Sequence, residues 1–140
     1  MYTAVELSKY IVSKCFTENH PISNLQLQKI LYYIQKEYLK NDSRAFADEI
    51  EAWQFGPVVP NSYYHFCAFG AMPITSSYDS ADISANDKLL INPIVVEKRQ
   101  MDPWQLVDDT HKPGGAWAQV YNNGLGSHTV IPVDLIKSEE

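Results

Sequence analysis

Nowhere does the sequence carry the ~20 uninterrupted apolar residues that a membrane-spanning helix requires. Cysteine is scarce as well. The two present, Cys15 and Cys67, are too few for a disulfide framework. Each sits in an apolar stretch of helical character, so both are expected reduced and buried. The N-terminus, Met1-Tyr2-Thr3-Ala4-Val5-Glu6, has neither the basic start nor the apolar run of a signal peptide. These absences predict a cytoplasmic protein. Positive charge is short too: 11 Lys and Arg stand against 17 Asp and Glu, a formal net charge of −6. Broad nucleic-acid binding needs basic side chains to neutralise phosphates, so that balance argues against it. It leaves room for a basic protein partner without requiring one.

What is present is globular. The 140 residues suffice for a hydrophobic core without staples, and 45% are hydrophobic and 12% aromatic. Thr3 and Glu6 form a T-x-x-E capping box, in which hydroxyl and carboxylate each satisfy an orphan backbone N–H. Ala4, Leu7, Ile11 and Cys15 then recur at helical spacing, with Tyr10, Val12 and Phe16 widening the apolar face. Ser23 and Gln26 make a second capping box, with Ile22 and Leu27 as its hydrophobic staple. Leu27, Ile30, Leu31, Ile34 and Tyr38 continue one stripe to Asn41-Asp42-Ser43. The short link between these two helices predicts antiparallel packing.

The middle changes period. Ile50, Ala52 and Gln54 alternate with Glu51, Trp53 and Phe55, as in a strand, and Gly56-Pro57 is expected to stop it. Pro60 suits the first position of a helix carrying Tyr63, Tyr64, Phe66 and Cys67, with Gly70 after its end. Met72-Pro73-Ile74 is expected to pair with residues 50–54. Thr75 to Ser84 reads as an exposed loop. Ser84 and Asp87 open a helix that Asn92-Pro93 should kink or restart. Asp102-Pro103 opens another, ending near His111. Pro113-Gly114-Gly115 is a turn before a short helix with Trp117, Val120 and Tyr121. Thr129 to Ile131 reads as extended, and Pro132 starts a last helical turn. The fold class is mainly α: a compact helical bundle with a small two-stranded β element near residues 50–74, in one domain spanning 1–140.

Three stretches together are similar to the Panacea-domain family, which includes SocA-type antitoxins and GepA-like phage-associated proteins. Leu27-Gln28-Lys29-Ile30-Leu31-Tyr32-Tyr33-Ile34-Gln35 resembles its L-Q-K-hydrophobic-L-Y-Y-x-Q helix. Ile50-Glu51-Ala52-Trp53-Gln54-Phe55-Gly56-Pro57-Val58-Val59-Pro60 resembles its I-E-A-W-x-aromatic-G-P-V-V-P segment, with Tyr63 at the following tyrosine. Leu106 to His111 ends in its Thr-His pair, here Thr110 and His111, with Trp117 at the later tryptophan. The sequence departs from the family where Gln54-Phe55 replaces Lys-Tyr and where Ala116-Trp117 replaces Pro-Trp. Both departures bear on the identity of the partner. The resemblance implies a mostly helical domain that neutralises a co-encoded protein toxin by direct contact. Two alternatives follow from it: an adaptor delivering the toxin to an ATP-dependent protease, and a phage accessory protein acting on a host factor.

The residues themselves admit competing readings. Gln28, Lys29, Tyr32 and Tyr33 share a helix face that is either a polar docking patch or a cover for the core edge. Trp53, Phe55, Gly56 and Pro57 form either a rigid presented loop or, through Trp53, a core anchor. With Tyr63, Thr110, His111 and Trp117, these residues are the expected partner-binding set. His111 near Asp108 invites a general-base role in a hydrolase or transferase. Against that, no nucleophile sits in a recognised setting, and a histidine is favoured at a helix C-terminus by the dipole alone. His20, His65, His111, His128, Cys15 and Cys67 lack metal-ligand spacing. Gly114-Gly115 and Gly124-Leu125-Gly126 lack the context of a phosphate cradle. The expectation is therefore a binding protein with no catalytic centre, metal or cofactor.

Overall fold

The structure is a computed structural model that describes residues 1–79 and 82–139. Ser80 and Ala81, inside the expected exposed loop, and Glu140 of the acidic tail lie outside the described residues.

Helix α1 (Ala4–Thr17) begins at the Thr3–Glu6 capping box and α2 (Asn24–Lys40) at the Ser23–Gln26 box, both boxes closed in both directions. Each satisfies N–H groups that would otherwise lack partners, worth about 1 kcal/mol apiece. The first strand, β1 (Glu51–Trp53), follows, then β2 (Gly56–Val58), then α3 (Pro60–His65) with Pro60 in its first turn. A single 3-10 turn (Cys67–Phe69) precedes α4 (Ala85–Arg99). Next come α5 (Pro103–Thr110), capped by Asp102, and α6 (Ala116–Tyr121). Strand β3 (Thr129–Val130) and α7 (Val133–Ser138) complete the order. The fold is mainly α.

Helix α2 is the hub. It touches α1, α3, α4, α5, α7 and β2, so its apolar stripe and most of its other side chains are covered. Leu27, Ile30, Leu31 and Ile34 are completely buried with Leu7, Ile11 and Cys15 of α1, Ile91 and Val95 of α4, and Phe46, Phe66 and Ile74. Asp87 fastens the first turn of α4 to two distant elements, accepting hydrogen bonds from the hydroxyls of Tyr2 and Tyr38.

Several expectations are corrected. The β element has three strands in the order β2-β1-β3 rather than two. Gly56-Pro57 does not end the strand reading but starts β2: Trp53 pairs with Gly56 across a two-residue tip, Gln54-Phe55. Glycine permits the φ of +118° that closes this tip. The third strand comes from Thr129–Val130, which pairs with Glu51 and Ala52. Met72-Pro73-Ile74 is not a strand; Ile74 instead donates its N–H to the Ile22 carbonyl and drops into the core. Helix α4 carries Pro93 inside a single element rather than restarting there. Phe16 is exposed, and so is Cys67, which lies in the 3-10 turn rather than in α3, whereas Cys15 is buried as expected. The 75–84 loop is partly tethered: Tyr78 donates its N–H to Ser13 and its ring meets Phe66.

Candidate functional site

The β1–β2 hairpin is held from beneath around its tip, at Trp53, Gly56 and Pro57. Trp117 Nε1 of α6 donates to the Trp53 carbonyl at 2.7 Å. The His111 ring, just past α5, lies beside the Phe55 backbone, which favours its charged form. Lys29 Nζ of α2 donates to the Pro57 carbonyl at 3.2 Å, and Gln28 Oε1 accepts the Val59 N–H at 3.0 Å. Gly56 lies against Lys29 and Thr110 so closely that a Cβ there would stand 2.7 Å from Lys29 Cε and 2.8 Å from Thr110 Oγ1. Three helices remote in sequence thus fix one short hairpin.

Side-chain bonds complete the support. Gln28 Nε2 donates to Asn24 Oδ1 and Ser62 Oγ, so Gln28 has partners at both ends of its amide. Thr110 Oγ1 donates back to the Val107 carbonyl at 2.8 Å. The His111 ring stacks on Trp117 at 3.6 Å between centroids, and Trp117 stacks in turn on Tyr121 at 4.6 Å. No hydroxyl, thiol or carboxylate is hydrogen-bonded to the His111 ring among the described residues, and Nε2 is buried without a partner. The ring is placed to pack and to anchor.

Burial sets the electrostatics of this layer. Lys29 is fully sealed from solvent, and desolvation pushes its pKa down to about 7. Burial also lowers the His111 pKa, helped by the Lys29 charge; Asp108 and the Phe55 backbone act the other way. The Tyr32 phenol is pushed up by burial and by Glu139, whose carboxylate it meets at 2.8 Å. For Glu139, burial alone would raise the pKa. Lys36 at 2.9 Å, the Ala116 N–H and Tyr32 together hold it below the ordinary carboxylate value. Among the described residues no group of three or more His, Cys, Asp or Glu side chains is disposed to hold a metal ion.

Above this layer the surface is aromatic. Trp53, half-buried, stacks on His128 at 4.3 Å, meets Tyr63 edge-on at 4.9 Å and packs against a tilted Tyr64 ring at 5.9 Å. Phe55 at the hairpin tip meets Trp104 edge-on at 5.3 Å. Phe55 is 46% exposed, Trp104 56% and Tyr64 60%. Between these groups lies a groove of about 690 Å³, lined by Leu25, Trp53, Phe55, Tyr63, Trp104 and Tyr121, among others.

The expected site residues therefore separate into two layers. Gln28, Lys29, Tyr32, Gly56, Pro57, Thr110 and Trp117 are buried, which corrects the reading of the first three as a polar outer face. Tyr33 is partly buried, with Lys98 Nζ lying 4.2 Å over its ring. Trp53, Phe55 and Tyr63 reach the surface. Trp104, Tyr64, Tyr121 and His128 join them there and were not anticipated. Trp104 could have been found, because a tryptophan directly after an Asp-Pro cap falls in a short, exposed first turn. Tyr121 and His128 carried no such signal.

The family described as Antitoxin SocA-like, Panacea domain, matches residues 27–118 of this chain. Antitoxin SocA of Caulobacter vibrioides (strain NA1000 / CB15N) is 30% identical over 135 residues, an alignment covering 87% of this chain and 71% of that protein. No solved structure matches.

Proposed function

The chain belongs to the SocA-like antitoxin family with the Panacea domain, and from that premise we propose that it binds a co-encoded protein toxin and neutralises it by direct contact. The reading is one of binding, not catalysis. The observation that carries it is the pairing of an exposed aromatic cluster with a buried scaffold. Phe55, Trp104 and Tyr64 stand in solvent, while Gln28, Lys29 and Trp117 fix the hairpin that presents Phe55. Exposed aromatics on a rigid support lose little conformational freedom on docking, and such groups dominate interface energetics.

The toxin contact then belongs to the aromatic surface around the groove, and the signature residues beneath act by positioning it. A cytoplasmic setting goes with this reading; no described helix is long and apolar enough to cross a membrane. The test is co-expression with the protein encoded beside it, reading growth rescue and co-purification. A toxic neighbour that is neither bound nor neutralised defeats the proposal. Toxin half-life in the same cells separates plain sequestration, where it is unchanged, from delivery to an ATP-dependent protease, where it shortens.

A further inference from the structure

The groove beneath the hairpin tip differs from the rest of the molecule in charge. The chain has 17 Asp and Glu residues, yet among the described residues no Asp or Glu lines this groove. Two of its polar groups, the Trp104 indole and the Lys29 ammonium, can donate but not accept. The Trp104 indole N–H has no acceptor among the described residues, and an indole can only donate. The hydroxyls of Tyr63 and Tyr121 make no hydrogen bond among the described residues either, and the exposed His128, tied through its backbone N–H to the Ala52 carbonyl, stacks its ring on Trp53. Lys29 belongs to the wall, sealed beneath its surface, with one ammonium N–H bonded to the Pro57 carbonyl. A cation behind a low-dielectric aromatic wall projects its field into the groove, where water screens it poorly.

We propose that this groove receives an aspartate or glutamate side chain carried beside an apolar residue on the partner, with the aromatic wall taking the apolar part, the rim donors taking the carboxylate, and Lys29 supplying the charge behind them. The partner's identity as a toxin rests on the antitoxin reading; the groove's chemistry does not. An apolar segment alone would leave the donors without acceptors once water is displaced. A basic segment would meet Lys29.

The experiment uses three small probes with the full chain at about pH 6, where Lys29 is charged: acetyl-Phe-Glu-amide, acetyl-Phe-Gln-amide and acetyl-Phe-Gln with a free C-terminal carboxylate. Binding is followed by the indole N–H signals of Trp53 and Trp104. The glutamate probe is expected to bind about tenfold more tightly than the glutamine amide. Lys29→Met, which replaces a buried ammonium by an apolar chain of similar length, should fold and should reduce that preference to about twofold or less. Ala71→Glu, which adds a carboxylate at an exposed position of the groove wall, should do the same without touching the core. Equal binding of the first two probes, no binding at millimolar concentration, or a preference that survives both substitutions overturns the inference. Tighter binding of the free-acid probe than of the glutamate probe also overturns it, by assigning the groove to a chain terminus. Toxin binding is read separately. A toxin bound equally by wild type and both variants sinks this inference and leaves the antitoxin reading intact, whereas a toxin bound by none sinks the antitoxin reading.

Discussion

Trp117 donates its indole N–H to the carbonyl of Trp53, 64 residues away in sequence, at 2.7 Å. One tryptophan thereby holds the backbone of the other, and only Trp53 reaches the aromatic surface. Trp117→Phe would keep much of the stacked area against His111 and Tyr121 but leave the Trp53 carbonyl without that donor. The expected loss is about 1–2 kcal/mol, the usual cost of an unsatisfied buried group. Urea denaturation measures it, and an unchanged midpoint would make the bond incidental.

Gly56 is required on two counts. Its φ is +118°, and an added Cβ would meet Lys29 and Thr110 below 3 Å. Gly56→Ala should therefore destabilise the chain by about 2 kcal/mol or more, through strain and the displaced neighbours together. Thermal unfolding checks the magnitude, and an alanine variant as stable as the parent would show that the hairpin can shift freely.

Lys29 makes stability depend on pH in a definite direction. Its folded pKa of about 7 lies below the ordinary lysine value of 10.5, so between these values the unfolded chain binds the extra proton. Stability then rises with pH, by about 2 kcal/mol from pH 7 to 9. The window closes near 9 because the buried Cys15 thiol, whose pKa is raised, works the other way above that point. Lys29→Met should flatten the profile; a variant that keeps the full slope would place its origin elsewhere.

Glu139 anchors the end of the described chain. Its carboxylate accepts from Tyr32, Lys36 and the Ala116 N–H. Alanine at 139 would strand three donors, with an expected cost of about 2–3 kcal/mol. Because its folded pKa is depressed, the contribution is present above the ordinary carboxylate value of 4.5 and fades as pH falls through the folded one. Chemical denaturation at neutral and acidic pH should show the wild-type advantage over Glu139→Ala shrinking in acid.

The aromatic surface predicts the opposite pattern. Phe55→Ala and Trp104→Ala remove exposed side chains, so stability should stay within about 0.5 kcal/mol. Toxin affinity should fall about thirtyfold or more for each, as hot-spot truncations do. Calorimetric titration alongside a melting curve decides; a loss of stability matching the loss of affinity would reassign both residues to the scaffold.

Much of the local structure was legible in the sequence. Both capping boxes, the prolines at 60 and 103, and the turn at 113–115 act over a few residues, and the helices start where those signals stand. The hairpin was half legible. Period-two alternation marked β1, but Gly56-Pro57 is a strong turn signal and obscured the start of β2. The pairing of β3 with β1 joins segments almost eighty residues apart, which no local pattern reports. The departure at Ala116 has a structural counterpart: its N–H bonds Glu139, and proline at that position would have none to offer.

By itself the sequence determined where most helices begin, which stripe of α2 is apolar, and which family the chain resembles, because capping, periodicity and motif are properties of neighbouring residues. Only the tertiary structure decided that the other side of α2 also faces inward. Gln28, Lys29 and Tyr32 are polar enough for a surface, but β2, α5 and α7 close over that side, and each polar group finds a partner beneath the cover. Burial is a sum over contacts distant in the chain, so the amino-acid pattern of one helix cannot fix it.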